Sequence, residues 1–575
     1  MWWRLCWRSL FMKPDLRWQI LLALAGFGLI LTLLSFQVQS AGLCTERVPA
    51  AGGVFAEGML GAPRALNPLL SDNYPVDREL VSLIFDGLTR YDAQGFLVPA
   101  LAESWRVSDD GRFVRFTLRP DLTWHDGEPV TTADVAFTYG LLQDPETPAP
   151  APLKALWQSV TIRVVDERLI DFELAEPYSP FLDATTRGLL PAHRLAGITG
   201  ATLAAADFNR APIGAGPFMI EPGQDWQRTR RLRLLPNPVF YREGAQVANL
   251  EFRFYPDEAA LLAAFTAGEI QAINSVAPTL LPAIVSLPDV RLFSAVAPRM
   301  TMLLFNQTET AVAAVRSLDV RRALAYALDR RALVAQALNG QGVLLDGPYL
   351  PTSWAYDTTA LTIYASNPVS ATLALEAAGW TLSAGAAVRQ REGASLTLRL
   401  LALDDPTHRA LAEAIAAQWA LVGVAPQVSF FSAGADLRQA LAARDFDVAL
   451  VDVAPPGDPD LYDFWSQEAI VRGQNYAGWN RRRASEALES ARQVWDVAER
   501  RPYYQTFLRL YDQDLPALTL YQHVYTYALS SVVNQAEIGR IDHPRERYAT
   551  FADWFLLYRD VAVACPAPEL GDRDT

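Results

Sequence analysis

PALAESWRVSDDGRFVRFTLRPDLTWHDGEPVTTADVAFTY, residues 99–139, carries two periodicities in one run. Val114, Phe116 and Leu118 alternate with Arg115, Thr117 and Arg119, the period of a strand with one apolar face. Asp126-Gly127 supplies a turn. Thr131 with Asp134 three residues later then predicts a capped helix, whose Val135, Tyr139 and Leu142 share one face. A run that passes from hairpin to amphipathic helix so quickly belongs to a mixed α/β fold.

The same alternation continues on both sides. Val160–Val165 and Leu169–Leu174 around Asp166-Glu167 predict a second hairpin. Leu250, Phe252 and Phe254 predict a strand, and Asp257 opens a helix with Leu261, Leu262 and Phe265 that Gly268 can close. One helical run is expected from Asp319 through Val320, Leu324 and Leu328 to Asn339-Gly340, another over Ala410–Leu421, and helical patterns resume from Ser485 to Leu510. Thr45–Gly53 reads as a linker, and no internal repeat is present.

A chain of 575 residues exceeds what one core supports, so two or three lobes are expected. Its 51% hydrophobic and 11% aromatic content is that of a folded protein. The net charge of -14 repels phosphate backbones and argues against a nucleic-acid partner. Gln19–Phe36 holds no charge over 18 positions and follows Arg4, Arg8, Lys13 and Arg17, the pattern of an export signal or membrane anchor. The length favours an uncleaved anchoring helix, while Ser40-Ala41 leaves cleavage open and Met12 is an alternative start. Everything after about Gln39 is then expected outside the cytoplasm. Of the 3 cysteines, Cys6 precedes the anchor; Cys44 and Cys565 are open between a disulfide joining the termini, two free thiols and a lipid on Cys44.

Catalytic chemistry is not indicated. His125, His193, His408, His523 and His543 form no ligand or triad spacing, and HExxH, GxSxG, a phosphate loop and CxxC are missing. Asp126 with Glu128 and Asp404 with Asp405 are carboxylate pairs of the kind glycoside hydrolysis needs, but adjacent acids in turns ordinarily cap or face solvent. The expectation is no catalytic residue, no metal and no cofactor.

Read together, several segments resemble the family-5 extracellular solute-binding proteins of ABC importers. They are Leu66-Asn67-Pro68, IFDGLTRYD (84–92), the run 99–139, PIGAGPF (212–218), LLFNQ (303–307), VRRALAYALDRRALV (320–334), GDPDLYDF (457–464) and NYAGWN (475–480). The resemblance implies a bilobal α/β receptor of the periplasmic-binding-protein type, type II with an extra domain and a cleft between lobes, and no enzyme activity. It implies residues 1–43 as the basic region and anchor, then lobe I in segments 44–87, 212–302 and 531–565. A β-rich domain inserted at 88–211, lobe II at 303–530 and a flexible tail at 566–575 complete the division. Trp124-His125-Asp126-Gly127 is implied to be a structural hairpin, and an ABC permease the partner.

Ligand identity is less constrained. In peptide-binding members an acidic residue shortly before the Asp-Pro pair holds the ligand amine; here that position is Pro455, with Asp452 nearby. Where dipeptide receptors offer a basic group, this chain offers Asp404, Asp405 and His408, with Arg409 already helical. Two ligands stay open. One is a peptide held by other anchors. The other is an oligosaccharide, for which carboxylates accept hydroxyl hydrogen bonds and Trp354, Tyr476 and Trp479 could stack on rings. Asn73 and Tyr74 sit where the first lobe approaches the cleft, and Asn306 is placed to hold backbone at the crossover. A membrane-anchored sensor without a transporter is the non-transport alternative.

Overall fold

Met300 to Phe305 carries one polar residue, Thr301, among apolar ones, and both of its faces are buried. Leu303 and Phe305 enter one core with Leu324, Leu400 and Trp419. Met302 and Leu304 enter a second with Leu441, Phe507 and Tyr511. A strand packed this way needs helices on each side, the requirement of an α/β layer architecture. The computed structural model describes residues 18, 21–32, 43–50, 53–72, 74–92, 96–242, 249–538, 547–548 and 554–564. It separates into two compact units, Val54–Trp554 and Met1–Gly53 with Phe555–Thr575.

Within Val54–Trp554 an 11-stranded mixed sheet runs in the order Ala425–Phe431, Thr397–Leu403, Val448–Val453, Val290–Phe305, Ala517–Ser530, Ala272–Ile273, Phe55–Leu60, Leu250–Tyr255, Arg231–Pro236, Phe218–Ile220, with Gly342–Leu344 beside Ala517–Ser530. The two long central strands pair antiparallel from Val290↔Ser530 to Leu304↔Ala517. Their pairing is irregular between Val296 and Met300, where Ala297-Pro298-Arg299 interrupts the ladder. On one side of this break Val290–Val296 lies near the strands of the first half of the chain; on the other Met300–Phe305 pairs with Val448–Val453. The two strands thus cross from one half of the fold to the other, and the crossover is locally irregular.

The expected hairpins are present in a separate four-stranded antiparallel sheet, ordered Ala102–Val107, Phe113–Leu118, Leu169–Glu173, Thr161–Val164. Val114, Phe116 and Leu118 are buried, as the alternation predicts. The helix Thr132–Gln143 begins at a Thr131/Asp134 capping box and covers the sheet with Tyr139, whose ring stacks on Trp157 at 3.9 Å. The Trp124–Gly127 turn closes through Trp124 N–H to Glu128 O at 2.8 Å. His125 then clamps the glycine-rich segment: Gly214 N–H donates to its Nδ1 and Nε2–H donates to Gly216 O, both at 3.1 Å. Burial lowers the His125 pKa to about 4, so the neutral ring makes these bonds.

Three local readings are corrected. The single helical run from Asp319 is two helices, Leu318–Tyr326 and Arg330–Leu338, because the Asp329 carboxylate caps Ala332 N–H and starts a new one. The pattern from Ser485 to Leu510 likewise divides into Arg482–Gln493 and Val497–Asp514, the second capped by Asp496. The stretch taken as a linker contains the strand Leu43–Ala50, paired antiparallel with Leu557–Ala564 in the smaller unit, so 44–53 and 555–565 are not part of the larger one. Arg47 stands opposite Asp560 in that ladder at 3.7 Å. Cys44 lies on this strand, whereas Cys565 is outside the described residues. Residues 21–32 are helical, and no helix among the described residues is long and apolar enough to cross a membrane.

Candidate functional site

A cavity of about 1770 Å³ opens between the two halves of the sheet. The helix Pro75–Ile84 supplies one wall with Arg78, Glu79 and Ser82, and residues between Tyr178 and Gly188 extend it. Asp458, Asp460, Tyr462 and Asp463 form the facing wall, and Ala297-Pro298-Arg299 with His523 and Tyr525 form the floor. The floor is therefore the crossover itself. Pockets for drug-sized ligands occupy about 300–1,000 Å³. This cavity is larger than that range.

One rim is bridged by polar contacts. Arg492 pairs with Asp460 at 2.9 Å and donates to Tyr178 Oη at 3.1 Å. Ser179 N–H donates to Arg492 O at 2.7 Å and Trp495 Nε1–H to Gly111 O at 3.2 Å. Behind them Asp458 is held by a buried two-pronged bond from Arg500, 2.8 and 2.7 Å. Gly457 precedes it because the Tyr91 ring occupies the space of a side chain, 2.3 Å from where a Cβ would be. Tyr91 donates to Asp183 at 2.5 Å. Burial raises both Asp183 and Asp460 to about 6, despite the Tyr91 hydrogen bond on the first and the Arg492 charge near the second.

Beneath the floor lies a chain of charges. Asp452 accepts from Thr301 Oγ1 at 2.5 Å and from His523 Nε2–H at 3.1 Å. Arg299 donates to His523 Nδ1 at 3.0 Å and lies 3.7 Å from Asp452. On the other side His408 Nε2 is 3.5 Å from Asp452, and its Nδ1–H donates to Asp405 at 2.7 Å. Burial opposes a charge on His408, but the hydrogen bonds and charges of Asp405 and Asp452 outweigh it and raise its pKa to about 9. Burial also opposes the Asp452 charge, yet His408 and His523 hold its carboxyl well below the ordinary range. For His523 burial prevails and its pKa falls. At neutral pH the arrangement is a His408 imidazolium between two carboxylates, next to a neutral His523.

The sign of the His408 contribution follows from linkage. Its folded pKa exceeds the unfolded value, so the stabilisation is complete below about 6.5 and disappears as pH rises through about 9. It amounts to at most about 3 kcal/mol. The wild type should lose stability between pH 7 and 9.5 in chemical denaturation, whereas His408→Asn should start lower and run flatter; parallel profiles would remove the imidazolium from the account.

The sequence candidates fall in distinct places. Asp405, His408 and Asp452 come together under the floor. Asp404 pairs with Arg409 at 2.5 Å. Tyr74 lies under the Arg64 guanidinium, 3.9 Å from its ring. Trp354 packs edge-on to Tyr504 at 5.4 Å, and Tyr476 is half-buried against the same core. Trp479 is buried in that core and donates to Asp514 at 2.9 Å. Asn73 is outside the described residues. None of these described side chains is among those lining the cavity, although Asp452 touches Arg299 and His523, which are. Asn306 donates to Phe446 O and Arg444 O, holding backbone beside the central strand. Among the described residues no group of three or more His, Cys, Asp or Glu could hold a metal ion.

Arg78, Arg299, Asp183 and Arg492 were not singled out from the sequence. Only Arg299 left a local signal: a Pro-Arg step interrupting an apolar strand.

Comparison with known proteins agrees with this architecture. The model of the family described as bacterial extracellular solute-binding proteins, family 5 Middle, matches residues 97–470. The dipeptide-binding protein of Escherichia coli K12 is 24% identical, the alignment covering 83% of this chain and 92% of that protein. The structure of the oligopeptide-binding protein AppA from Bacillus subtilis, in complex with a nonapeptide, matches with a TM-score of 0.70 and 22% identity, over 89% of this chain and 100% of that one. NikZ from Campylobacter jejuni, in complex with Ni(L-His), matches with a TM-score of 0.71 and 24% identity, over 87% and 99%.

Proposed function

Because the chain belongs to the bacterial extracellular solute-binding proteins of family 5, which act outside the cytoplasm and are not enzymes, we propose that it captures a peptide between two lobes and delivers it to an ABC permease. The observation that carries the reading is the cavity of about 1770 Å³ whose floor is the strand crossover. A ligand touching both walls favours the closed arrangement over the open one by its differential contacts, and a permease can sense that closure. Peptides are favoured over sugars because the relatives named for their ligands include dipeptide and oligopeptide binders. In addition, Trp354, Tyr476 and Trp479, the side chains offered for stacking on sugar rings, pack in or against the core away from the cavity.

The lobe assignment belongs to the same proposal. Residues 54–87, 212–302 and 531–554 form the first lobe, 88–211 the insertion and 303–530 the second; the strand order, with its two shared central strands, supports this. The apolar segment Gln19–Phe36 would tether the protein to the outer face of the membrane.

A thermal-shift screen of the purified full-length protein tests the ligand class. Peptides at a hundredfold excess over Kd should stabilise it by about 2.7 kcal/mol. Stabilisation by oligosaccharides with none by peptides would overturn the peptide reading.

A further inference from the structure

We propose that the inner end of the cavity is a seat for an anionic group, a carboxylate of the ligand, held between Arg78 of the first lobe and Arg299 at the strand crossover. This deepens the peptide reading and rests on it for the identity of the anion's carrier; a peptide with a free carboxyl terminus carries such a group.

Both arginines line the same cavity, from different elements. Arg78 lies on the helix Pro75–Ile84, is exposed to the cavity, and its guanidinium makes no hydrogen bond or ion pair with the described residues. Nearby Arg187 is already satisfied by both oxygens of Asp72, at 3.0 and 3.1 Å. Glu79, next along the helix, is turned away to Arg547 and Asn274, and burial raises its pKa. Arg299 sits in the break of the central ladder with its side chain 53% exposed, leaning on the neutral His523. Its carboxylate neighbour, Asp452, is shared with the His408 imidazolium and Thr301.

Arg187 is matched by Asp72, and Arg299 shares Asp452 with the His408 imidazolium, so Arg78 is the cation at this end that has no ion-pair partner among the described residues. The two arginines also interact unfavourably: the surrounding protein lowers the Arg78 pKa, Asp72 pulls it back, and Arg299 pushes it down further. A carboxylate between them would relieve that repulsion and accept charge-assisted hydrogen bonds from guanidinium groups on two elements. Since Arg299 belongs to the crossover and Arg78 to a wall, the bound anion would fix the wall against the hinge.

The other end of the cavity has the opposite character. Asp460, Asp463 and Glu468 line it, with Arg492 and Arg472 as the local cations. An extended zwitterion would therefore lie with its carboxylate at Arg78 and Arg299 and its cationic end toward these acids.

Titration calorimetry with a pool of tri- to pentapeptides, as free acids and as carboxyl-terminal amides, tests the seat. The free acids should bind the wild type at least tenfold more tightly than the amides. That difference should vanish in Arg78→Gln and Arg299→Gln, return with Arg78→Lys and Arg299→Lys, and persist in the control Arg483→Gln, an exposed arginine outside the cavity lining. Amides that bind the wild type as well as acids, or a difference that survives both glutamine variants, would overturn the proposal.

A second arm does not depend on peptides. Succinate should raise the melting temperature of the wild type more than sodium chloride of equal ionic strength, and should do so in neither glutamine variant. A response equal to that of sodium chloride overturns the seat. If neither peptide pool binds while the succinate effect behaves as stated, the peptide reading fails and the anion seat stands.

Discussion

Arg547→Ala should lower the unfolding free energy by about 3–5 kcal/mol, the cost of leaving buried carboxylates without their cation. Arg547 is fully buried and donates to Glu57 at 2.5 Å, to Glu79, and to Tyr548 Oη at 2.7 Å. Glu57 also accepts from Tyr527 and Tyr548, each at 2.8 Å, and Glu79 from Asn274 at 3.0 Å. The network ties residue 547 to the first strand of the large sheet and to the helix that carries Arg78. Without the guanidinium, Glu57 and Glu79 repel each other in a dry site, and the Glu79 pKa, already raised by burial, rises further above its unfolded value. The folded state then binds more protons, and stability increases as pH falls from about 7 to 5. The variant should therefore recover on acidification more than the wild type does. Combining Arg547→Met with Glu57→Gln and Glu79→Gln should restore most of the loss, since a buried network can be replaced by neutral groups more cheaply than broken. Urea titrations at several pH values read all three outcomes, and a loss below about 1 kcal/mol would contradict the assignment.

Gly214→Ala is the second large effect, at about 3 kcal/mol. The PIGAGPF segment passes against the end of the helix Pro75–Ile84 so closely that a Cβ at 214 would lie 1.9 Å from Ile84 O, and one at 216 would lie 2.6 Å from Ile84 C. Backbone cannot swing aside as a side chain can. Gly216 N–H donates to Ile84 O at 2.9 Å, and His125 grips Gly214 and Gly216 from the far side. Gly140 is the internal control. It lies inside the helix Thr132–Gln143, a Cβ there meets nothing within 4 Å, and Gly140→Ala should stabilise by about 0.5–1 kcal/mol. Equal stability of the two alanine variants in thermal unfolding would show that the glycines are not there for close approach.

These two positions mark where sequence reasoning reaches and where it stops. Capping is local, so Thr131 and Asp257 announced their helices correctly. Asp329 and Asp496 carried the same signal, but the apolar spacing on either side hid the breaks they cause. The strand Leu43–Ala50 could not be recognised from its own residues, because its partner Leu557–Ala564 is at the other end of the chain. Arg547 with Glu57 and Glu79 is invisible for the same reason.

At the site, Asp405, His408 and Asp452 were picked for their chemistry and do converge, yet they converge beneath the cavity floor, because burial is not a local property. Trp479 was picked as an aromatic face and is enclosed by Trp465, Phe507 and Tyr511. Arg78 has no capping, turn or periodicity signal of its own in the sequence. Only the fold shows that it borders the cavity.

In the proposed capture, a ligand in this cavity draws the two lobes together about the crossover at Ala297-Pro298-Arg299. Small-angle X-ray scattering of the purified protein, without and with a saturating peptide that stabilises it in the thermal screen, measures this most directly. The radius of gyration should be smaller with the peptide, with no such contraction when the same peptide is added to a protein whose lobes are held apart by a bulky substitution at Ser82 in the cavity wall. A peptide that binds tightly and leaves the radius of gyration of the wild type unchanged would contradict it.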